Sequence, residues 1–336
     1  MLAWNTPSGL VSSAWDTHAT FQILRRPSSV LTRPMWSIWK ATGYVSVIAS
    51  AVAAMMTSAA SIASRERISW VWYHHYEPLL MDRLLELTHR AEQTHFWFRG
   101  FRAFIEPELV QAVAGRTSPV LVDCGCGTGA NVTWFERYGR SYGFDVTWNG
   151  LTLGRQMGRT RLAHASICAI PLANEFADVA TSFDVFQHLS EDGERTALEE
   201  MKRILKPGGH LIMNVAALEM LHGHHAVLAG EVRRYTAARL RAIVEAAGFE
   251  IVRVTFTFAS LFPVILPVRL AQRWSSGGTN VPAGEFDITV PPAPINGLLS
   301  AVVRAEAAAL RVVNMPIGSS LLCHAIKPPG PPIRRE

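Results

Sequence analysis

The residues with the clearest chemical potential lie in Asp123-Cys-Gly-Cys-Gly-Thr-Gly129, where an acid is followed by glycines at 125, 127 and 129. Glycine has no Cβ, so a backbone carrying this pattern can approach a nucleotide closely. Gly125-x-Gly127-x-x-Ala130 fits the dinucleotide-binding pattern, and Asp145 stands 20 residues beyond Gly125, where that pattern places its ribose-binding acid. A second reading fits the same residues. Asp123 and the tighter Gly-x-Gly-x-Gly spacing suit a cofactor without a pyrophosphate, whose amino-acid ammonium meets the carboxylate. The backbone amides at the helix start are then left for its carboxyl end. No Tyr-x-x-x-Lys hydride-transfer pattern accompanies the loop, because Tyr235 is followed at that spacing by Arg239.

Other candidates lie downstream. His188 and His225 are the side chains able to take a proton near neutral pH. Arg233 and Arg234, just before Tyr235, can clamp a carboxylate or phosphate on an acceptor. His222, His224 and His225 lack nearby acids or cysteines, so no metal is expected. Cys124 and Cys126 lack a second pair to complete a zinc site.

The elements that must position these residues alternate strand and helix, the pattern of a mostly parallel sheet. Strands are expected to end at Asp123 and at Asp145, and to cover 161–165, 177–183, 210–215, 251–258 and 319–326. Helices are expected over 148–157, 192–205, 236–247 and 297–313, with Lys206-Pro-Gly-Gly209 as a helix stop. Before the first strand, Leu80, Leu84, Leu87 and Ala91 mark an amphipathic helix over 77–93. His95-Phe-Trp-Phe-Arg99 and a second helical stretch to Gly115 follow. Together they read as a cap over the nucleotide site or as packing against the sheet.

The chain has 336 residues, 49% of them apolar and only 18% charged, with a net charge of +5. Its arginines are dispersed, with no dense basic run, so nucleic acid is not expected as a partner. Four cysteines exclude a disulfide scaffold and suit a reducing compartment. The uncharged stretch 41–64 is about long enough to cross a bilayer, which takes roughly 20 apolar residues. It is mostly Ala and Ser, and its more basic flank precedes it, against the positive-inside bias. Residues 1–70 therefore read as an extension without a packed fold, a membrane-associated helix, or, from Met35, a signal peptide. The expected location is cytoplasmic, with membrane association through this apolar segment.

Taken in order, Asp123-Cys-Gly-Cys-Gly-Thr-Gly129, Asp145, Phe183-Asp-Val-Phe-Gln-His188 and Leu205-Lys-Pro-Gly-Gly209 resemble the successive motifs of class I S-adenosylmethionine-dependent methyltransferases, in particular the type 11 methyltransferase domain. The resemblance covers roughly residues 117–257. More loosely, Thr94-His-Phe-Trp-Phe-Arg99, His225–Tyr235 and Pro316-Ile-Gly-Ser-Ser320 resemble flanking segments of a bacterial subgroup. The resemblance implies an α/β, doubly wound, Rossmann-like sheet of seven strands with the last antiparallel, plus N-terminal helices. It also implies S-adenosyl-L-methionine as cofactor, held by Asp123, Gly125, Cys126, Gly127, Gly129, Asp145, Val146, Ser166, Ile167 and Phe183. Asp145 would accept both ribose hydroxyls. The implied division is an extension over 1–70, a helical cap over 71–116, the core over 117–257, an insertion over 258–317, a final core strand over 318–328 and a tail.

The implied reaction is in-line methyl transfer to an O, N or C atom of a small-molecule or lipid-linked acceptor, with possible contact to a membrane surface. Such a step needs alignment above all, and a base only if the acceptor must lose a proton. The chain departs from the family pattern at four places. Ser166 stands where an acid usually meets the adenine, Gln187 replaces a Glu, Ala226 an acid, and Glu231 a His. Two alternatives remain: an NAD(P)-dependent oxidoreductase, and a catalytically silent S-adenosylmethionine-binding module.

Overall fold

A computed structural model describes residues 91–222, 230–267 and 290–329. Its helices are α1 (Phe96–Val113), α2 (Ala130–Phe135), α3 (Trp148–Gln156), α4 (Glu191–Ile204), α5 (Ala237–Ala246) and α6 (Ala293–Ala309). Its strands are β1 (Val120–Cys124), β2 (Arg140–Asp145), β3 (Leu162–His164), β4 (Ala177–Phe183), β5 (Leu205–Ala216), β6 (Glu250–Thr257) and β7 (Ser320–Ile326). They form one sheet in the order β3-β2-β1-β4-β5-β7-β6. The pairs from β3 through β5 are parallel, while β7 runs antiparallel to both β5 and β6. The strand order reverses between β1 and β4, and ligands of open α/β sheets bind outside the strands' carboxyl ends at such a point.

Local chemistry accounts for the elements. Ser190 caps α4 by accepting the Gly193 N–H at 3.1 Å, and Glu191, Asp192 and Glu194 place negative charge in its first turn. Ala197, Leu198, Met201 and Ile204 recur at helical spacing and are buried against the sheet. Each large apolar side chain buried this way contributes about 1.5–3 kcal/mol. β1 is buried along its whole length, as expected of a central parallel strand.

Four sequence expectations change. Lys206-Pro-Gly-Gly209 does not merely stop a helix. It lies within β5, where Leu205 pairs with Ala177 before a register irregularity and Gly208 adopts φ +70°. Lys206 Nζ bonds Asp178 Oδ2 at 2.9 Å and so fixes the start of β4. In β6 the alternation of Val252, Val254, Phe256 and Phe258 is broken by an irregularity between Ile251 and Arg253. Val252 is turned outward and exposed while Val254 is buried. His95-Phe-Trp-Phe-Arg99 belongs to α1 and its cap: His95 accepts the Trp97 N–H, and Trp97 stacks on Phe258 at 3.7 Å between centroids. Its aromatic rings pack onto the fold. α6 begins at Ala293, four residues before the expected start.

Most of the expected helix over 77–93, the apolar stretch 41–64, His224, His225 and Ala226 lie outside the described residues. Among the described residues no helix is long and apolar enough to cross a membrane. Nothing in the described structure supports membrane association, which corrects that expectation.

Candidate active site

The glycine loop leaves β1 at the strand-order reversal, and its conformation requires its composition. Gly125, Gly127 and Gly129 take φ of +88°, +54° and +80°, values that L side chains adopt only with strain. A Cβ at Gly125 would also collide with Val185 Cγ2, so the loop after β1 touches the loop after β4.

Asp123 lies at the foot of this loop, 1% exposed. Its Oδ1 accepts the Thr181 hydroxyl at 2.6 Å, while Oδ2 is buried without a hydrogen-bond partner. The Asn131 side chain lies near enough to favour the ionised form, without forming a bond of proper geometry. Burial pushes the carboxyl up to about 7, and the Asp145 charge adds to the rise. A buried carboxylate oxygen without a donor fits an ammonium group. The residues present therefore fit the amino-acid end of S-adenosylmethionine.

Asp145 ends β2 and is held from two sides. Oδ2 accepts the Gly127 N–H at 2.7 Å, and Oδ1 accepts the Thr147 N–H at 2.8 Å and its hydroxyl at 2.5 Å. Beside it Val146 and Trp148 are 60% and 62% exposed, an apolar shelf at the carboxyl end of β2. The His164 ring meets Trp148 edge-on at 5.7 Å and reaches the Val146 carbonyl with Nε2 at 2.9 Å. Trp148 was expected only as a helix start. Its exposure beside Asp145, the added signal, is visible only in three dimensions.

Ser166 and Ile167 follow β3. Ser166 Oγ accepts the Cys168 N–H at 3.1 Å, which leaves the hydroxyl able to donate, and Ile167 is buried. Cys126 is also buried, with its thiol pushed well up by burial, so it serves as a small residue of the turn. Phe183 packs edge-on against Phe101 at 5.0 Å and Phe135 at 6.4 Å, which ties α1 to the end of β4. The loop is clamped from outside as well. Arg159 Nη1 bonds Thr128 Oγ1 at 2.6 Å and its carbonyl at 3.1 Å, and Nη2 pairs with Glu92.

The candidates for chemistry separate. His188 is half-buried, with Nδ1 3.1 Å from the Gly230 carbonyl oxygen. Tyr235 is fully buried and donates to the Phe186 carbonyl oxygen and to Glu194, so it supports the core and does not face an acceptor. Arg233 pairs with Glu194 at 3.1 Å and Arg234 with Glu231 at 2.9 Å. Neither arginine is an uncommitted clamp for an anion. Among the described residues no group of three or more His, Cys, Asp or Glu side chains is placed to hold a metal.

Sequence reading missed Asp184. It follows β4 with φ +56°, a conformation Asp tolerates better than most residues. Its N–H donates to the Asn214 carbonyl oxygen at 2.9 Å, and its Oδ1 accepts from Asn214 Nδ2 at 2.9 Å. The residue is exposed in area, yet Asn214, Glu231, Gln187 and Arg234 crowd it. Desolvation by these packed neighbours raises its carboxyl to about 6, with the Glu231 charge adding to the rise, while Asn214, Gln187 and Arg234 oppose it.

Comparison with known proteins bears on this arrangement. A family profile described as a methyltransferase domain matches residues 122–213. A tRNA (carboxymethyluridine(34)-5-O)-methyltransferase of Arabidopsis thaliana is 33% identical over 105 residues, 30% of this chain. The matched region spans 24% of that relative's length. Two solved structures are similar in outline. One is a complex of the Haloferax volcanii Trm112 methyltransferase activator with a methyltransferase, with TM-score 0.49, 18% identity, 75% of this chain and 97% of that one. The other is Haemonchus contortus phosphoethanolamine N-methyltransferase 2 with S-adenosyl-L-methionine, with TM-score 0.44, 15% identity, 74% of this chain and 60% of that one.

The curated relative corrects one expectation. A protein named for its action on tRNA shares this sequence region, so nucleic acid is no longer set aside as a partner class. The profile match falls on the strands and loops that carry Asp123, the three glycines, Asp145 and Asp184. Residues 122–213 match a methyltransferase domain, and the seven-stranded sheet to which they belong has the Rossmann-like methyltransferase fold.

Proposed function

We propose that the protein is an S-adenosylmethionine-dependent methyltransferase acting on an O or N nucleophile, with an RNA nucleotide as its acceptor. The observation that carries the cofactor reading is Asp123 Oδ2, buried without a partner at the foot of the glycine loop. An ammonium supplies the missing donor. S-adenosylmethionine, when bound, supplies a methyl group already activated on a sulfonium.

The chain's own residues then have the work of holding and aligning. Asp123 and the amides of the glycine loop hold the amino-acid end, and Asp145 holds the ribose. Val146 and Trp148 offer apolar surface beside it, with Ser166 and Ile167 next along the sheet edge. Phe183 and the loop after β4 border the acceptor side. Fixing two reactants in line is worth effective molarities of about 10⁵–10⁸ M, so alignment is the main work this site has to do.

RNA as acceptor rests on the name of the curated relative, and the net charge of +5 is consistent with a polyanionic partner. The test is label transfer from methyl-tritiated S-adenosylmethionine to bulk tRNA by the full-length protein. Label in a ribonuclease-sensitive product supports the reading. Transfer only to ribonuclease-resistant material, or none to tRNA that lacks existing modifications and none to native tRNA, counts against an RNA acceptor.

A further inference from the structure

Between Gly127 and Gly129 the glycine loop carries one side chain, that of Thr128. The two glycines take φ of +54° and +80°, and glycine loses more conformational freedom on folding than any other residue. Thr128, 4% exposed, is therefore the handle by which the fold can hold this half of the loop. Arg159, from the connection between α3 and β3, takes both of its oxygens with one nitrogen. Nη1 donates to the Thr128 carbonyl oxygen at 3.1 Å and to its hydroxyl oxygen at 2.6 Å. The Thr128 hydroxyl donates to Glu92 Oε2 at 3.3 Å, and Arg159 Nη2 donates to Glu92 Oε1. The three residues close a ring, in which the Arg159 and Glu92 side chains are 8% and 5% exposed.

Holding the carbonyl and the hydroxyl of one residue fixes its backbone and its χ1 together. Gly127, the residue before it, gives its N–H to Asp145 at 2.7 Å, so a turn at Thr128 would move the amide that this acid accepts. The backbone of α3 lies against the same carbonyl, because a Cβ at Gly154 would stand 2.1 Å from the Thr128 oxygen. A guanidinium presents its donors in a planar fork that a lysine ammonium does not reproduce. Glu92 precedes α1, so the ring also ties the chain ahead of that helix to the loop.

We infer that Arg159 is a positioning residue for the cofactor: it acts through Thr128, holding the glycine loop in its binding conformation, with Glu92 as the anchor that fixes the guanidinium. The inference rests on the methyltransferase reading and adds to it residues not assigned to the cofactor itself. Cofactor binding and the seating of residues 92–95 are then coupled, and such coupling is reciprocal.

The test is calorimetry of the full-length protein with S-adenosylhomocysteine. The variants are Arg159→Met, Arg159→Lys, Thr128→Val, and Arg159→Met combined with Glu92→Gln, which leaves no uncompensated buried charge in the pair. Arg253→Met is the control. Arg253 also pairs with a buried carboxylate, Glu108 at 2.9 Å, but it lies on β6 at one edge of the sheet, and β3 forms the other. Arg159→Met and the double variant are expected to weaken binding at least about tenfold, on the order of one hydrogen bond to a charged group. Arg159→Lys and Thr128→Val should fall between these and wild type. Arg253→Met should lower Tm and keep the wild-type affinity.

Hydrogen exchange supplies a readout that a merely structural arginine would not move. S-adenosylhomocysteine should slow exchange at Gly127 and Gly129, and also at Thr94 and His95, whose N–H groups donate to the Ala91 carbonyl oxygen. In Arg159→Met the slowing at Thr94 and His95 should disappear.

Wild-type affinity in Arg159→Met or in the double variant overturns the inference. If neither of these folds, wild-type affinity in both Arg159→Lys and Thr128→Val overturns it. Equal losses in Arg159→Met and Arg253→Met also overturn it, because affinity would then follow stability alone. No ligand-induced slowing at Thr94 and His95 in the wild type overturns the link through Glu92. If the wild type does not bind S-adenosylhomocysteine, the methyltransferase reading fails first. If it binds and the Arg159 variants bind equally well, only the inference fails.

Discussion

The Gly127 N–H donates to Asp145 Oδ2 at 2.7 Å, so the glycine loop after β1 and the acid ending β2 form one unit. Asp145 therefore both shapes the loop and presents a charged acceptor beside it. Hydrogen bonds to a charged group contribute about 1.5–3 kcal/mol each, and about 1.4 kcal/mol is tenfold in affinity. Asp145→Ala is expected to weaken S-adenosylhomocysteine about 100-fold or more by calorimetry. Asp145→Asn should fall between the two, because it keeps an acceptor for Thr147 but loses the charge. Wild-type affinity in Asp145→Ala would remove the acid from the site.

The contact between Gly125 and Val185 separates two costs of adding a side chain. Gly125→Ala suffers a strained φ of +88° and a collision with Val185 Cγ2. At Gly158, φ is +78° and nothing lies within 4 Å of the added Cβ. Denaturant melts should show Gly158→Ala losing about 1 kcal/mol and Gly125→Ala losing about 2–4 kcal/mol, the excess being overpacking. Val185→Ala in the Gly125→Ala background should recover the packing part and leave the backbone part. Equal losses at the two glycines would show that the loops do not press on each other.

Asp123 links cofactor binding and stability to pH. Its carboxyl lies near 7 in the fold against an ordinary 3.8, so between about pH 4 and 7 the folded chain holds a proton that the unfolded chain has lost. Stability from this group therefore falls as pH rises through that window, and the full penalty is present above 7. At about 1.4 kcal/mol per pKa unit, the ceiling is about 4 kcal/mol. Asp123→Asn should raise Tm at pH 8 relative to wild type and raise it little at pH 4. An ammonium stabilises the ionised form, so S-adenosylmethionine should bind with proton release below pH 7 and weaken as pH falls. Calorimetry in buffers of different ionisation enthalpy measures that release. Binding without proton release at pH 6 would separate Asp123 from the ammonium.

The parallel part of the sheet was legible because each strand is short, apolar and bounded by turn residues, as at Val120–Val122 and Ala177–Phe183. Asp123, the three glycines and Asp145 could be picked out because their chemistry is local in sequence. Features set by long-range geometry were not legible. The β6 irregularity turns Val252 outward although its spacing matches Val254. Tyr235 looks like a ligand-facing aromatic beside two arginines until Glu194, 41 residues away in sequence, takes up its hydroxyl. Asp184 lies inside the Phe183–His188 motif, but nothing in that motif distinguishes its carboxyl. Its setting depends on a left-handed φ and on Asn214 arriving from β5. The paired states of Arg233 and Arg234 likewise depend on carboxylates supplied by the fold.

The central claim is that the Asp123 foot and the glycine loop hold S-adenosylmethionine and not a dinucleotide. The most direct measurement is calorimetric titration of the full-length protein with S-adenosylmethionine and, separately, with NADH. The expected result is a single saturable site for S-adenosylmethionine, lost or strongly weakened in Asp145→Ala, and no binding of NADH. Binding of NADH without binding of S-adenosylmethionine would contradict the account.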